Sequence, residues 1–386
     1  MQIAREELRR EVLSRLADSP ICALLGARQV GKSHLAKALG VADGNYFDLE
    51  DEVSRRRLED NPQGELSRLY GLVVIDEVQR VPEVFPVLRY LADRPANPAK
   101  FLLLGSVAPH LVQRISESLT GRVGFVETGG FHLAEAGAEY QDALWLQGGL
   151  PPAFLRGEEE SFRWRLDYLR TLIGQDLREL AMTKLTESGL RRLLLFIAQS
   201  HGQPWNNSAA ARVLSVDYKT IQRHLELFEG MYFLRQLPPF DRNLGKRLRK
   251  APKVFIRDSG LLHALLTIRN LRDLRAHPMM GASWEGFALE QTIRALGLRE
   301  SECFAYAVHS GNEMDLVVER GGKLYGFEYK HSEAPGKTAS MLGARRDLGL
   351  AAVYVVHSGD RDYGLGDDVE AVAVRNLSAL RARLGW

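Results

Sequence analysis

Gly26-Ala27-Arg28-Gln29-Val30-Gly31-Lys32-Ser33 stands between the apolar run Ile21-Cys22-Ala23-Leu24-Leu25 and the helical pattern His34-Leu35-Ala36-Lys37-Ala38-Leu39. Strand, glycine-rich turn and helix in that order form a phosphate cradle. Glycines let backbone N–H groups converge on phosphate oxygens, a lysine reaches the terminal phosphates, a hydroxyl ligates Mg²⁺, and the helix N-terminus faces the negative charge. Gly26, Gly31, Lys32 and Ser33 fill these roles, and Ala27, Arg28, Gln29, Val30 and His34 complete the loop.

A second apolar run, Leu72-Val73-Val74-Ile75, suits a strand buried on both faces of a parallel sheet and ends in Asp76-Glu77. Ligands in open α/β sheets bind beyond the carboxyl ends of the strands, which predicts these acids beside the loop. Asp76 is expected to hold Mg²⁺ and Glu77 to orient or deprotonate the attacking water. A third run, Phe101-Leu102-Leu103-Leu104, ends in Gly105-Ser106, where Ser106 is placed to sense the terminal phosphate. Asn45 to Glu50 reads as another short strand, and Arg122, before the strand-like Val123-Gly124-Phe125-Val126, as an arginine finger for a neighbouring subunit.

The chain has 386 residues, 45% hydrophobic and 26% charged, which fits a soluble protein of two or three domains. It lacks an apolar run long enough to span a bilayer and a signal-peptide pattern, so the expectation is a cytoplasmic protein with no membrane partner. Cys22 and Cys303 lie far apart in apolar segments and read as reduced, buried thiols. The net charge of +2 conceals a basic cluster of Arg242, Lys246, Arg247, Arg249, Lys250, Lys253 and Arg257, which is suited to polyanions.

Strands alternating with helices predict an α/β fold with a parallel sheet over 1–140. A helical lid or linker is expected over 141–187, with Phe162, Leu166, Leu169 and Ile173 on one stripe. Over 188–260 a helix from Ser208 to Leu214, a turn at Ser215-Val216 and an N-cap at Asp217 predict a helix-turn-helix. Its second helix turns Tyr218, Lys219, Gln222 and Arg223 outward, and Met231 to Leu234 with Val254 to Ile256 would form the strands of a wing. Those four residues and Lys246, Arg247, Arg249 and Lys250 are the candidate DNA contacts.

Over 261–386, Glu285 falls on a helix with Trp284 and Phe287, Asp315 on a strand, and Glu328 and Lys330 on its hairpin partner across Gly321-Gly322. Residues two apart on a strand share a face, so Glu328 and Lys330 are expected to converge with Asp315. An acid followed by Glu-x-Lys is the pattern of a metal-dependent phosphodiesterase, with Glu285, Asp315, Glu328 and Lys330 about the metal.

Together the residues resemble a prokaryotic family of AAA-type ATPases whose C-terminal half is a domain of unknown function. The matching segments are Gly26 to Ser33, Val74-Ile75-Asp76-Glu77-Val78-Gln79, Gly105-Ser106, Ser118-Leu119-Thr120-Gly121-Arg122, Leu225-Glu226-Leu227-Phe228-Glu229, Asn243 with Lys246-Arg247, Trp284-Glu285-Gly286-Phe287 and Glu313-Met314-Asp315. The resemblance implies a P-loop ATPase of AAA+ type with ATP and Mg²⁺ as cofactors, then a winged helix, then a PD-(D/E)xK restriction-endonuclease-like α/β domain. It also implies a homo-oligomer, hexameric by family expectation. Ser33 stands where many members have threonine, and Tyr329 replaces a small aliphatic residue within Glu-x-Lys, a difference in packing. The function expected is ATP hydrolysis by an oligomer that binds and remodels DNA, branched DNA included. The alternatives are a nucleotide-dependent switch that assembles with a protein partner, and an ATP-regulated nuclease.

Overall fold

Every residue of β1 (Ile21–Gly26) is buried, because its alternating side chains feed two separate cores. Ile21, Ala23 and Leu25 face one core with Phe85, Leu88 and Ile115 from helices Val84–Ala92 and Pro109–Leu119. Cys22 and Leu24 face the other, with Leu8, Val12 and Leu16 of helix Glu6–Asp18 and Leu35 of helix Lys32–Ala38. The computed structural model describes residues 3–95, 98–106, 109–176, 185–240, 251–308 and 311–386.

The remaining strands of this layer are β2 (Tyr46–Asp48), β3 (Gly71–Asp76), β4 (Ala99–Ser106) and β5 (Val123–Thr128). All pairs are parallel, in the order β2-β3-β4-β1-β5. The acid-bearing strand β3 is therefore not next to β1: β4 lies between them. The expected neighbourhood of loop and acids is spread over one additional strand.

The chain divides into two compact units, Met1–Gly130 with Gly230–Tyr232, and Phe131–Glu229 with Phe233–Trp386. In the second unit, helix Glu158–Thr171 buries Phe162 and Leu169, but Leu166 is 41% exposed and Arg165 fully buried in its place. The guanidinium satisfies three carbonyls: its Nη1 donates to Leu146 at 3.1 Å and Gly260 at 2.8 Å, and its Nε to Ser161 at 3.2 Å. Helices Asn207–Leu214 and Tyr218–Gly230 meet across Ser215, whose φ of 55° turns the chain. Asp217 Oδ1 caps the second helix by accepting from Thr220 N at 2.9 Å. β6 (Leu234–Leu237) and β7 (Lys253–Ile256) pair antiparallel; β6 begins later than the sequence suggests because Tyr232, at φ 56°, breaks the extended run.

The C-terminal sheet contains β8 (Cys303–Ala307), β9 (Glu313–Arg320), β10 (Lys323–Lys330), β11 (Ala352–His357), β12 (Tyr363–Gly366) and β13 (Val369–Ala373), ordered β12-β13-β11-β10-β9-β8. Gly321 and Gly322, at φ 59° and 73°, make the tight turn between β9 and β10. Both cysteines are free and buried, and burial pushes each thiol up to about 12.

Beneath this sheet, helix Met280–Leu296 and helix Ser259–Leu265 share a buried polar node. His263 Nδ1 lies 2.8 Å from the Leu146 carbonyl, which can only accept, so Nδ1 carries the proton and Nε2 accepts from the Ser283 hydroxyl at 2.6 Å. Burial pushes this imidazole down to about 3 from its ordinary 6.5. The unfolded chain thus takes up a proton that the folded one refuses across that interval, so the stability tied to neutral His263 is complete above pH 6.5 and drains as pH falls towards 3. Urea unfolding of the wild type should weaken by up to about 1.4 kcal/mol per pH unit more than that of His263→Gln over this window. Equal slopes for the two proteins would contradict the assignment.

Candidate functional site

At the carboxyl edge of the parallel sheet the chain leaves β1 through two left-handed residues, Gln29 at φ 65° and Gly31 at φ 92°. Gly26 has no room for a side chain: a Cβ there would sit 2.2 Å from the Thr128 carbonyl oxygen. Arg5 braces the turn from the N-terminal segment, its Nη1 donating to the Val30 carbonyl at 3.1 Å and to Thr128 Oγ1 at 3.0 Å. Lys32, buried at the helix start, donates to the carbonyls of Gly26 at 2.8 Å and Ala27 at 3.0 Å. Burial lowers its ammonium to about 8, with Glu77 and Asp76 opposing that shift.

Asp76 is buried at the end of β3 with both carboxylate oxygens engaged. Oδ1 accepts from Glu77 N at 3.0 Å, and Oδ2 accepts from the Tyr46 hydroxyl at 2.6 Å. The same phenol is in hydrogen-bonding reach of Ser33, so it links the two residues expected to hold Mg²⁺. Glu77 adopts φ 55° and ψ 45°, a conformation costly for a residue with a Cβ and typical of functional sites. Its carboxylate accepts from the Gln79 amide. Ser33 and Asp76 form an oxygen-only donor set of the kind Mg²⁺ prefers, and the closed cradle at Gly26 fits a phosphate chain. Ser106 ends β4, paired with Gly26, between the two. His34 is exposed on the first turn of its helix.

Arg122 lies elsewhere. It precedes β5, whose register with β1 runs Ile21 to Val123 and Gly26 to Thr128, so it sits at the opposite edge of the sheet from its own loop. Five strand steps make that roughly 16 Å. Its guanidinium forms a bidentate pair with Asp93, Nε to Oδ1 at 2.6 Å and Nη2 to Oδ2 at 2.8 Å.

Tyr218, Lys219, Gln222 and Arg223 are exposed along one side of helix Tyr218–Gly230, as their spacing predicts. Lys246, Arg247, Arg249 and Lys250 lie outside the described residues. The other end of the basic cluster is corrected by the structure. Arg257 is 3.5 Å from Glu290, and Lys253 is 5% exposed among carboxylates, so neither contributes to a basic surface.

Glu285, Asp315, Glu328 and Lys330 do converge, but around a cation from the chain itself. Lys253 Nζ lies 3.1 Å from Glu285 Oε1, 2.8 Å from Glu313 Oε1 and 3.3 Å from Asp315 Oδ1. Asp315 Oδ2 accepts from Tyr329 N at 3.0 Å, and Lys330 Nζ donates to Glu328 Oε1 at 2.8 Å. Burial raises Glu285 to about 8 and Glu328 to about 7, with the Asp315 charge adding to both. Burial works against the Lys253 charge, and Glu285, Asp315 and Glu313 outweigh it. Among the described residues no three His, Cys, Asp or Glu side chains are arranged to hold a metal ion, so the metal cluster expected here does not fit the geometry. Tyr329 packs into the interior on the other face of β10.

Three contributors escape a reading of the sequence. Tyr46 and Arg5 act through the fold's placement of β2 and the first helix, and Lys253 looks like one more residue in a basic run. Gly26→Ala tests the cradle: the added methyl must displace the Thr128 carbonyl, and equilibrium binding of a fluorescent ATP analogue should weaken at least about tenfold. Wild-type affinity in that variant would show that the loop has room to spare.

Comparison with known proteins places this geometry. The AAA domain family model matches residues 18–137, which include the phosphate loop and the acid-bearing strand. Two models described as domains of unknown function, DUF8612 and DUF4143, match residues 138–272 and 280–377. The Walker-type ATPase paby2304 of Pyrococcus abyssi is similar at 19% identity and a TM-score of 0.45, over 69% of this chain and 96% of that one. The uncharacterized proteins Rv2008c of Mycobacterium tuberculosis and Mb2031c of Mycobacterium bovis are each 42% identical over 96% of this chain and 84% of theirs. No described helix is long and apolar enough to cross a membrane. Its near full-length identity to the mycobacterial pair and its AAA domain match together place the chain in their family, as a P-loop ATPase of the AAA type.

Proposed function

We propose that this ATPase works as an oligomer, hexameric as the family resemblance implies, that uses Mg²⁺-dependent ATP hydrolysis to bind and remodel DNA, branched DNA included. The observation that carries the reading is the gathering of Lys32, Ser33, Asp76 and Glu77 at one edge of the sheet, with Glu77 held in a left-handed conformation. Lys32 exchanges the Gly26 and Ala27 carbonyls for the terminal phosphates, an exchange of like partners that keeps its buried charge satisfied. Ser33 and Asp76 would hold Mg²⁺, which supplies charge neutralisation at the phosphates. Glu77 accepts the proton of the attacking water, and Gln79 orients its carboxylate.

Arg122 serves a neighbouring subunit. Its place at the far edge of its own sheet supports that role, since it cannot reach its own loop. Joining the next subunit means giving up Asp93. The DNA half of the proposal rests on the exposed Tyr218, Lys219, Gln222 and Arg223, presented by the second of two capped helices that read with β6 and β7 as a winged helix. Lys246, Arg247, Arg249 and Lys250 add basic charge from the sequence between those strands. The C-terminal sheet reads as a nuclease-like scaffold that grips without cutting. Lys253 at the centre of its acids makes an ATP-regulated nuclease the weaker alternative.

Turnover assays separate the catalytic roles. Glu77→Gln should retain ATP binding and lose about a hundredfold or more in turnover, while Lys32→Ala should lose binding; undiminished turnover in both would refute the engine. Fluorescence anisotropy with duplex, single-stranded and four-way DNA tests the partner. Lys219→Glu with Arg223→Glu should weaken binding at least about tenfold at low salt. Unchanged DNA affinity would favour a nucleotide switch acting on a protein.

A further inference from the structure

The acids of the C-terminal sheet come from three elements: Glu285 from helix Met280–Leu296, Glu313 and Asp315 from β9, and Glu328 from β10. Carboxylates this close repel one another unless a cation stands between them. A divalent metal is the usual solution. Here several of the oxygens such a metal would use are already engaged. Asp315 gives Oδ1 to Lys253 and Oδ2 to the Tyr329 amide, Glu285 gives Oε1 to Lys253, and Glu328 gives Oε1 to Lys330. Glu328 Oε2 is the buried oxygen of this set without a partner. Lys253 cannot simply swing aside, because it opens β7, where it pairs with Leu237, and its side chain is almost wholly enclosed.

We propose that the Lys253 ammonium is the permanent cation of this cluster, taking the place of a divalent metal and pinning β7 to helix Met280–Leu296 and to β9. A metal entering the cluster would meet a fixed positive charge about 3 Å from the same oxygens, a repulsion that the near-complete burial of the lysine leaves little solvent to screen. The domain thus keeps the acid pattern of a phosphodiesterase and uses it as an internal charge lock.

Mn²⁺ binding to the nucleotide-free full chain, followed by electron paramagnetic resonance, tests this. Wild type and Asp315→Asn should bind the same number of ions, because the cluster contributes none. Lys253→Met, which keeps the side-chain volume and removes the charge, should gain one bound ion that wild type lacks, and adding Asp315→Asn should abolish it. Lys253→Arg should behave as wild type. A site in wild type that Asp315→Asn removes would overturn the proposal, as would a folded Lys253→Met that binds no additional ion. Should Lys253→Met fail to fold, the comparison of wild type with Asp315→Asn still decides. ATP turnover is read separately, so failure here leaves the ATPase reading standing.

Discussion

A strand walled in on both faces can offer chemistry only at its ends. Ile21–Gly26 spends every side chain on one of two cores, so polar groups must collect beyond Gly26, where backbone N–H groups point out of the sheet. The rest of the first unit follows from that constraint. Both faces need helical cover, the covering helices force parallel crossovers, and parallel crossovers bring the ends of β2, β3 and β4 to the same edge as the end of β1. Tyr46, Asp76 and Ser33 meet there because the start of β2, the end of β3 and the first turn of the helix after β1 converge at that edge.

The two acid clusters show what burial does to similar residues. At the nucleotide edge, Asp76 is satisfied by a phenol and an amide, partners that can be exchanged without stranding a charge. In the C-terminal sheet, Asp315 is satisfied by a buried ammonium whose removal would leave several carboxylates facing one another. The first arrangement is poised for a ligand. The second is closed.

Local patterns were readable where they depend on neighbours in the chain. The loop, the buried strands, the Gly321-Gly322 turn, the Asp217 cap and the outward face of helix Tyr218–Gly230 all follow from spacing within about a dozen residues. What stayed hidden depends on partners far along the chain. That β4 separates β1 from β3 is a matter of strand order, which no local window contains. Lys253 and Arg257 read as surface charge because the acids that bury them, Glu285 to Asp315 and Glu290, follow only later in the chain. Arg165 displaced Leu166 from the buried stripe for a similar reason: the carbonyls of Leu146 and Gly260 made an interior place for a guanidinium.

The pairing of β1 also sets a schedule. Ile21 is flanked by Phe101 on one side and Val123 on the other, and Gly26 by Ser106 and Thr128. During synthesis the phosphate loop leaves the ribosome long before either flanking strand exists, with only the Lys32 contacts to Gly26 and Ala27 and the Arg5 contact to Val30 at hand. The full cradle therefore arrives late, when Thr128 docks against Gly26 and gives the Arg5 brace its second acceptor. A nascent chain cut short of β5 would carry the whole signature motif and no working pocket.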